Sequence, residues 1–217
     1  MNKKNLIEGL GSDFSEQELL GYIKKQLSIF FNLNLAEIEI LERVHIEILN
    51  RLRYCIEGVD NKYFSKNGVP YFSPLHSGQH LIYLYIYSHY CYTNLKEVEL
   101  SEKIYYLNKI LHSCDIYPPV KLPDIFFLEH PLGTVLGRAT YGNNFFAMQG
   151  CTVGGNKYLK YPKIGSNVRM YSNSKIIGDS NIGNNVQVGA NTYIKDTDIP
   201  DNALVFGQSP NLIIKGI

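Results

Sequence analysis

Tryptophan is missing from the 217-residue chain, methionine occurs three times and cysteine four times. Cys55, Cys91, Cys114 and Cys151 form no Cys-x-x-Cys pair, which argues against a zinc or disulfide framework. They read as buried free thiols of a reducing compartment. Excess charge of either sign is also lacking: 21 Lys and Arg face 20 Asp and Glu, a net +1. That balance gives no reason to expect a nucleic-acid or membrane-surface partner. Long apolar runs are absent too. The most apolar window, His80 to Tyr92, is broken by Tyr, Ser and His, and the opening MNKKNLIEGLGSDFSEQE has no apolar core of signal-peptide length. A cytoplasmic protein without a membrane span is expected. What is present, 45% hydrophobic and 19% charged residues, suits a folded chain of one ample domain or two small ones.

Composition changes at Tyr117-Pro118-Pro119, which predicts a helical domain over 1–117 and a different domain over 118–217. In the first part Ser15-Glu16-Gln17-Glu18 is a capping-box signature, and Leu19, Leu20, Ile23, Leu27 and Phe30 follow at helical steps. A second helix fits Leu35 to Tyr54, with Ile38, Leu41, His45, Ile48 and Leu52 on one stripe. Gly58 to Ser77 reads as loop, a third helix runs from about Gln79 to Tyr92, and Ser101 caps a fourth over Glu102 to His112. His45, His80, His89 and His112 lie on helical stripes and read as structural.

Beyond Pro119 helical period vanishes and a six-residue period replaces it. Ile164, Met170, Ile176, Ile182, Val188 and Ile194 are each six apart, and Val168, Ser174, Ser180, Val186 and Thr192 follow the first five by four. Val135, Tyr141, Ala147 and Val153 keep the step upstream, so it breaks only across Gly154 to Lys163. Such a period suits a coil of three flat faces, one inward aliphatic per face, with about 18 residues per turn. Glycine and asparagine at the corners supply the left-handed backbone that the turns need. A β-sandwich would instead alternate at two and scatter its turns.

The repeats Ile164-Gly165-Ser166-Asn167-Val168 and Ile182-Gly183-Asn184-Asn185-Val186 resemble those of the hexapeptide acyltransferases, which form a left-handed parallel β-helix. Within that group the order Asp115-Ile116-Tyr117-Pro118, Glu129-His130-Pro131-Leu132-Gly133 and Gln149-Gly150-Cys151-Thr152-Val153-Gly154-Gly155 resembles serine acetyltransferase, as do Gly78-Gln79-His80, Tyr85 and Ser88-His89. The fold implied is α+β: an N-terminal helical domain followed by a left-handed β-helix. The family's catalytic Asp precedes its catalytic His by fifteen residues, as Asp115 precedes His130.

The resemblance implies an acetyl-CoA-dependent O-acetyltransferase with acetyl-CoA as co-substrate. His130 would be the base that deprotonates an acceptor hydroxyl, and Asp115 would orient and stabilise its imidazolium. Glu129, Gln149, Lys160 and Tyr161 match substrate-side positions. Gly155, Ser172 and Ala190 match positions whose small side chains let the pantetheine arm lie against backbone. Lys195 and Lys215 are either phosphate contacts or solvated surface lysines. A homotrimer, or a hexamer paired through the helices, is implied, because the CoA groove is built from two chains. No metal is expected, since a zinc site in such a prism needs about three converging histidines and this region holds only His130. Cys151 occupies a packing slot with no partner histidine in its motif.

The departures bear on the acceptor. The family's Arg-His before Pro-Lys-Ile is Lys160-Tyr161 here, which removes the bidentate fork for a carboxylate. Glu129 stands where the family has Asp, and the loop from Gly155 to Pro162 is about three residues shorter. Two acceptor classes stay open: L-serine, for cysteine synthesis, and a sugar hydroxyl of a surface polysaccharide. Tyr63-Phe64 and Tyr71-Phe72-Ser73-Pro74 would suit a flat sugar face or serve as core. A scaffold without activity would have no reason to keep the Asp–His spacing.

Overall fold

The computed structural model describes residues 4–217, in two compact units, Met1–Leu111 and His112–Ile217. In the first unit, β1 (Lys4–Ile7) and β2 (Leu10–Ser12) precede α1 (Glu16–Phe30). The capping box forms as expected: Ser15 Oγ accepts from the Glu18 N–H at 3.3 Å, and Glu18 Oε2 accepts from the Ser15 N–H at 2.7 Å. Leu19, Ile23 and Leu27 are buried, whereas Phe30 at the end of the stripe is exposed. A second capping box, Asn34 with Glu37, starts α2 (Leu35–Glu57), which buries Leu41, His45, Ile48 and Leu52.

The stretch read as loop holds β3 (Ser65–Lys66) and β4 (Val69–Phe72), an antiparallel hairpin. Its turn is Asn67-Gly68, both with positive φ, the pairing that matches the twist of two antiparallel strands. With β1 and β2 it makes a four-stranded sheet in the order β1-β2-β4-β3, so this unit is not helical alone. Phe64 and Phe72 are buried, which makes them core and takes those two rings from any sugar face.

Next comes α3 (Ser77–Tyr90), buried on every side from Gly78 to Ser88, as a central helix must be. It continues as a π-helical turn over Cys91–Leu95. Buried Gln79 fastens the preceding segment: its Oε1 accepts from the Ser73 N–H at 2.6 Å and its Nε2 donates to the Tyr63 carbonyl at 2.8 Å. α4 (Val98–His112) begins three residues before Ser101, which is therefore no cap. Ser101 Oγ donates to the Ser88 carbonyl at 2.8 Å and Ser88 Oγ donates to the Ser101 carbonyl at 2.9 Å. Two small residues thus close the gap between α3 and α4 and satisfy each other's polar groups. His45 lies between Tyr83 and Tyr87, with Nδ1 3.4 and 3.5 Å from their hydroxyls, and burial holds its pKa down to about 4.

The second unit is a left-handed parallel β-helix. One face stacks 140–141, 163–164 and 181–182, the next 126–128, 145–147, 169–170, 187–188 and 204–205, and the third 135–136, 152–154, 175–177 and 193–195. Ile164, Met170, Ile176, Ile182, Val188 and Ile194 are all buried, as are the five residues four places on. Val135 breaks the rule, because the buried residue of its rung is Leu136. The backbone of Asp115 forms a parallel bridge with Val135 and fixes that rung one residue out of step.

Asparagines carry the corner between the first two faces. Asn144, Asn167, Asn185 and Asn202 all have φ between 55° and 58°, and each of the first three donates from Nδ2 to Oδ1 of the next at 2.8–2.9 Å. The stack ends in a hairpin. Ala203–Gln208 pairs antiparallel along its whole length with Asn211–Gly216. Among the described residues no helix is long and apolar enough to cross a bilayer.

Candidate active site

The corner between the second and third faces collects most of the expected site. Its backbone repeats one hydrogen bond: the N–H groups of Gly133, Gly150, Asn173 and Asn191 donate to the carbonyls of Ser113, Leu132, Gln149 and Ser172 at 2.8–2.9 Å. All four donors have positive φ, from 59° to 71°. Leu132, Gln149 and Ser172 therefore form one column, which Ala190, the residue before Asn191, continues.

His130 sits where this column is irregular. Leu128 pairs with Ala147, yet Leu132 accepts from Gly150, so the chain takes four steps across a corner that the next coil crosses in two between 147 and 149. Glu129 and His130 are the surplus, a two-residue bulge of the kind that re-aims a side chain. The Glu129 N–H still reaches the Ala147 carbonyl at 3.0 Å, and His130 is exposed with φ 48°. Left-handed backbone costs a residue with a Cβ about 1–2 kcal/mol, and such outliers gather at functional sites. Buried Thr134 holds the far side of the bulge: its Oγ1 donates to the Met148 carbonyl at 2.7 Å and accepts from the Cys151 N–H at 3.3 Å.

Asp115 lies beside that anchored end. Its N–H donates to the Thr134 carbonyl and its carbonyl accepts from the Leu136 N–H, both at 2.9 Å. The backbone that carries Asp115 is thus tied four to six residues beyond His130, and the Asp115 side chain is half-buried. Cys114, next to it, is buried, and burial together with the Asp115 charge pushes its thiol up to about 12. Cys151 is buried inside the coil with Sγ 3.3 Å from the Tyr171 carbonyl, a packing position.

Gln149 is half-buried, and its Oε1 is sealed from solvent with no hydrogen-bond partner among the described residues. Such an atom costs on the order of 1–3 kcal/mol unless something donates to it. Ser172 Oγ lies 3.8 Å from Met148 Sδ, and Ala190 is exposed. His130, Gln149, Ser172 and Ala190 hence share one corner.

Gly155, Lys160 and Tyr161 are on the next corner, in the loop from Gly155 to Pro162 that makes one coil five residues longer than its neighbour. A Cβ on Gly155 would lie 2.7 Å from the Tyr161 ring, so close packing of that ring already requires glycine. Lys160 is exposed and Tyr161 half-buried. Asn156 organises the loop. Its Oδ1 accepts from the N–H groups of Tyr158 and Lys160 at 2.9 and 3.2 Å, its own N–H donates to the Lys160 carbonyl at 3.0 Å, and its Nδ2 donates to Asp196 Oδ1 at 2.7 Å. The Asp179 N–H donates to the same Asp196 oxygen at 2.8 Å. These two bonds hold the Asp196 carboxyl below the usual carboxylate range. Neither Asn156 nor Asp196 stood out in the sequence, because forty positions separate them.

Known proteins resemble the chain in sequence and in fold. No family model matches the chain. A serine acetyltransferase of Staphylococcus epidermidis is 32% identical over 144 residues, which are 64% of this chain and 66% of that protein, a little under two thirds of its length. A solved serine acetyltransferase in complex with cysteine superimposes with a TM-score of 0.71 at 22% identity, covering 92% of this chain and 86% of the other. The chain is similar in sequence to serine acetyltransferases. A second solved serine acetyltransferase, in complex with CoA, superimposes with a TM-score of 0.69 at 21% identity, over 93% of this chain and 85% of the other. At such identities the superpositions establish the fold, helices followed by a parallel β-helix. The serine acetyltransferase-like sequence match spans about two thirds of the chain. Among the described residues no three His, Cys, Asp or Glu side chains are placed to hold a metal ion.

Proposed function

We propose that this chain is an acetyl-CoA-dependent O-acetyltransferase with L-serine as acceptor and His130 as general base. The observation that carries the reading is the Glu129–His130 bulge: an exposed histidine in left-handed backbone, at a corner pinned by Thr134, beside the backbone bridge of Asp115. The likeness to proteins named serine acetyltransferase supports the acyl donor and the acceptor class.

In this mechanism His130 takes the hydroxyl proton as the acceptor oxygen attacks the thioester carbonyl. A C–O bond forms, the C–S bond breaks, and the imidazolium returns the proton to the CoA sulfur. Asp115 stabilises the imidazolium, a division of labour shared with serine hydrolases. Gln149 Oε1 accepts a hydrogen bond from the bound substrate. The pantetheine arm lies along the Ser172–Ala190 column, and a second copy of the chain supplies the Gly155–Tyr161 side, because one prism keeps the two groups on separate corners. A site shared between copies in this way suits a trimer.

A sugar acceptor is the second reading. It is favoured by Tyr161, seated on Gly155 where the resemblance calls for histidine. A thiol-release assay with acetyl-CoA, L-serine and a panel of nucleotide sugars separates the two. Turnover with L-serine alone supports the first reading, and turnover confined to a sugar replaces it.

A further inference from the structure

The loop that carries Lys160 and Tyr161 is gripped from the prism wall through one carboxylate oxygen. Asp196 Oδ1 takes the Asp179 N–H on its own wall and Asn156 Nδ2 from the loop, and Asn156 Oδ1 holds two further backbone N–H groups of the loop. Asp196 reaches this position in left-handed backbone, with φ 48°. Gly178 makes room for it: φ there is 79°, and a Cβ would fall 2.1 Å from Asp196 Oδ1. Two left-handed residues, one of them a glycine, are spent on this contact. The loop's far end is fixed separately, by the Tyr161 ring on Gly155. Between the two anchors, Tyr158 and Leu159 are 71% and 73% exposed, so burial of the loop's own side chains does not hold its shape.

We infer that Asn156 and Asp196 are positioning residues for the acceptor, acting through the loop that presents Lys160 and Tyr161. The inference rests on the acyl-transfer reading above and adds to it the two residues that set the acceptor-side geometry. A clamp of this kind holds Lys160 and Tyr161 in place before substrate arrives, so its loss weakens acceptor binding and leaves the chemical step largely intact. Neither residue belongs to the His130 corner.

The test uses the full-length protein with Asn156→Ala, Asp196→Ala, Gly178→Ala and the conservative Asp196→Asn, which keeps an oxygen acceptor at the same place. The first three raise the acceptor KM about tenfold, the value of one or two hydrogen bonds, with the acetyl-CoA KM and kcat within about threefold of the parent. Asp196→Asn restores the parent acceptor KM. Trypsin cleavage at Lys157 and Lys160 gives a readout independent of turnover: it quickens in the three disruptive variants and not in Asp196→Asn. Equal losses in kcat and both KM values, or an Asp196→Asn as impaired as Asp196→Ala, would overturn the inference. Unchanged trypsin rates in all four variants would overturn the clamp itself. A parent protein that transfers acetyl to no acceptor overturns the proposed function, while the trypsin arm still reports whether the clamp holds the loop.

Discussion

Asn185 donates from Nδ2 to Oδ1 of Asn202 at 2.8 Å and itself accepts from Asn167 Nδ2 at 2.9 Å. Its φ of 56° would strain alanine and suits glycine. Asn185→Ala loses the ladder bonds and adds backbone strain, about 2 kcal/mol together. Asn185→Gly loses the bonds without the strain and is the milder change, by about 1 kcal/mol. Urea unfolding of both variants measures the difference, and equal midpoints would mean that the corner conformation costs nothing.

His130 should separate stability from activity. His130→Gly removes the base and relieves left-handed strain, so acetyl transfer falls by about 10²–10⁴-fold while the unfolding midpoint holds or rises. His130→Ala loses the same activity without that relief. Steady-state kinetics beside thermal unfolding checks both, and near-parental turnover in either variant removes the base assignment.

Gln149→Met keeps the side chain's length and takes away the unpartnered Oε1. Removing a buried unsatisfied acceptor stabilises the fold by on the order of 1 kcal/mol. Substrate KM should rise at the same time. A variant that unfolds earlier would show that Oε1 already has a partner in the free protein.

Acid should weaken the fold through two buried histidines. Burial lowers the pKa of His45 to about 4, against a backbone hydrogen bond with Glu16 that acts the other way, and burial lowers His112 to about 4 as well. Between pH 6.5 and 4 the unfolded chain binds protons that the folded chain refuses. Stability is therefore fully present above pH 6.5 and drops as pH falls towards 4, by on the order of 3 kcal/mol per histidine. His45→Gln should flatten part of this slope in urea titrations across that range.

The acceptor can be read from Lys160→Arg combined with Tyr161→His. For an enzyme that has moved away from serine, the pair restores a guanidinium fork and raises kcat/KM for L-serine by about tenfold. For one that already uses serine efficiently, the change weakens it and the sugar reading fails.

The six-residue step was legible because each inward position of the prism is set by burial alone, from Ile164 to Ile194. It misled at Val135, where a backbone bridge from Asp115 shifts the rung and no property of Val135 announces it. Asn67-Gly68 was a hairpin signal in plain view inside a stretch read as loop. Ser101 looked like a cap because serine favours that position, but its hydroxyl has a partner on α3, thirteen residues back. The bulge at His130 was invisible for a similar reason. It exists only as the difference between two registers, and register belongs to the pairing of coils rather than to either strand.

The C-terminal hairpin closes one end of the prism. Every inter-coil contact before it is parallel, so an open last coil would offer a template on which another copy's first coil could dock, and a third on that. Asn211–Gly216 runs back along Ala203–Gln208 in the opposite direction and occupies those donors and acceptors. On that face the run of parallel rungs ends against an antiparallel strand.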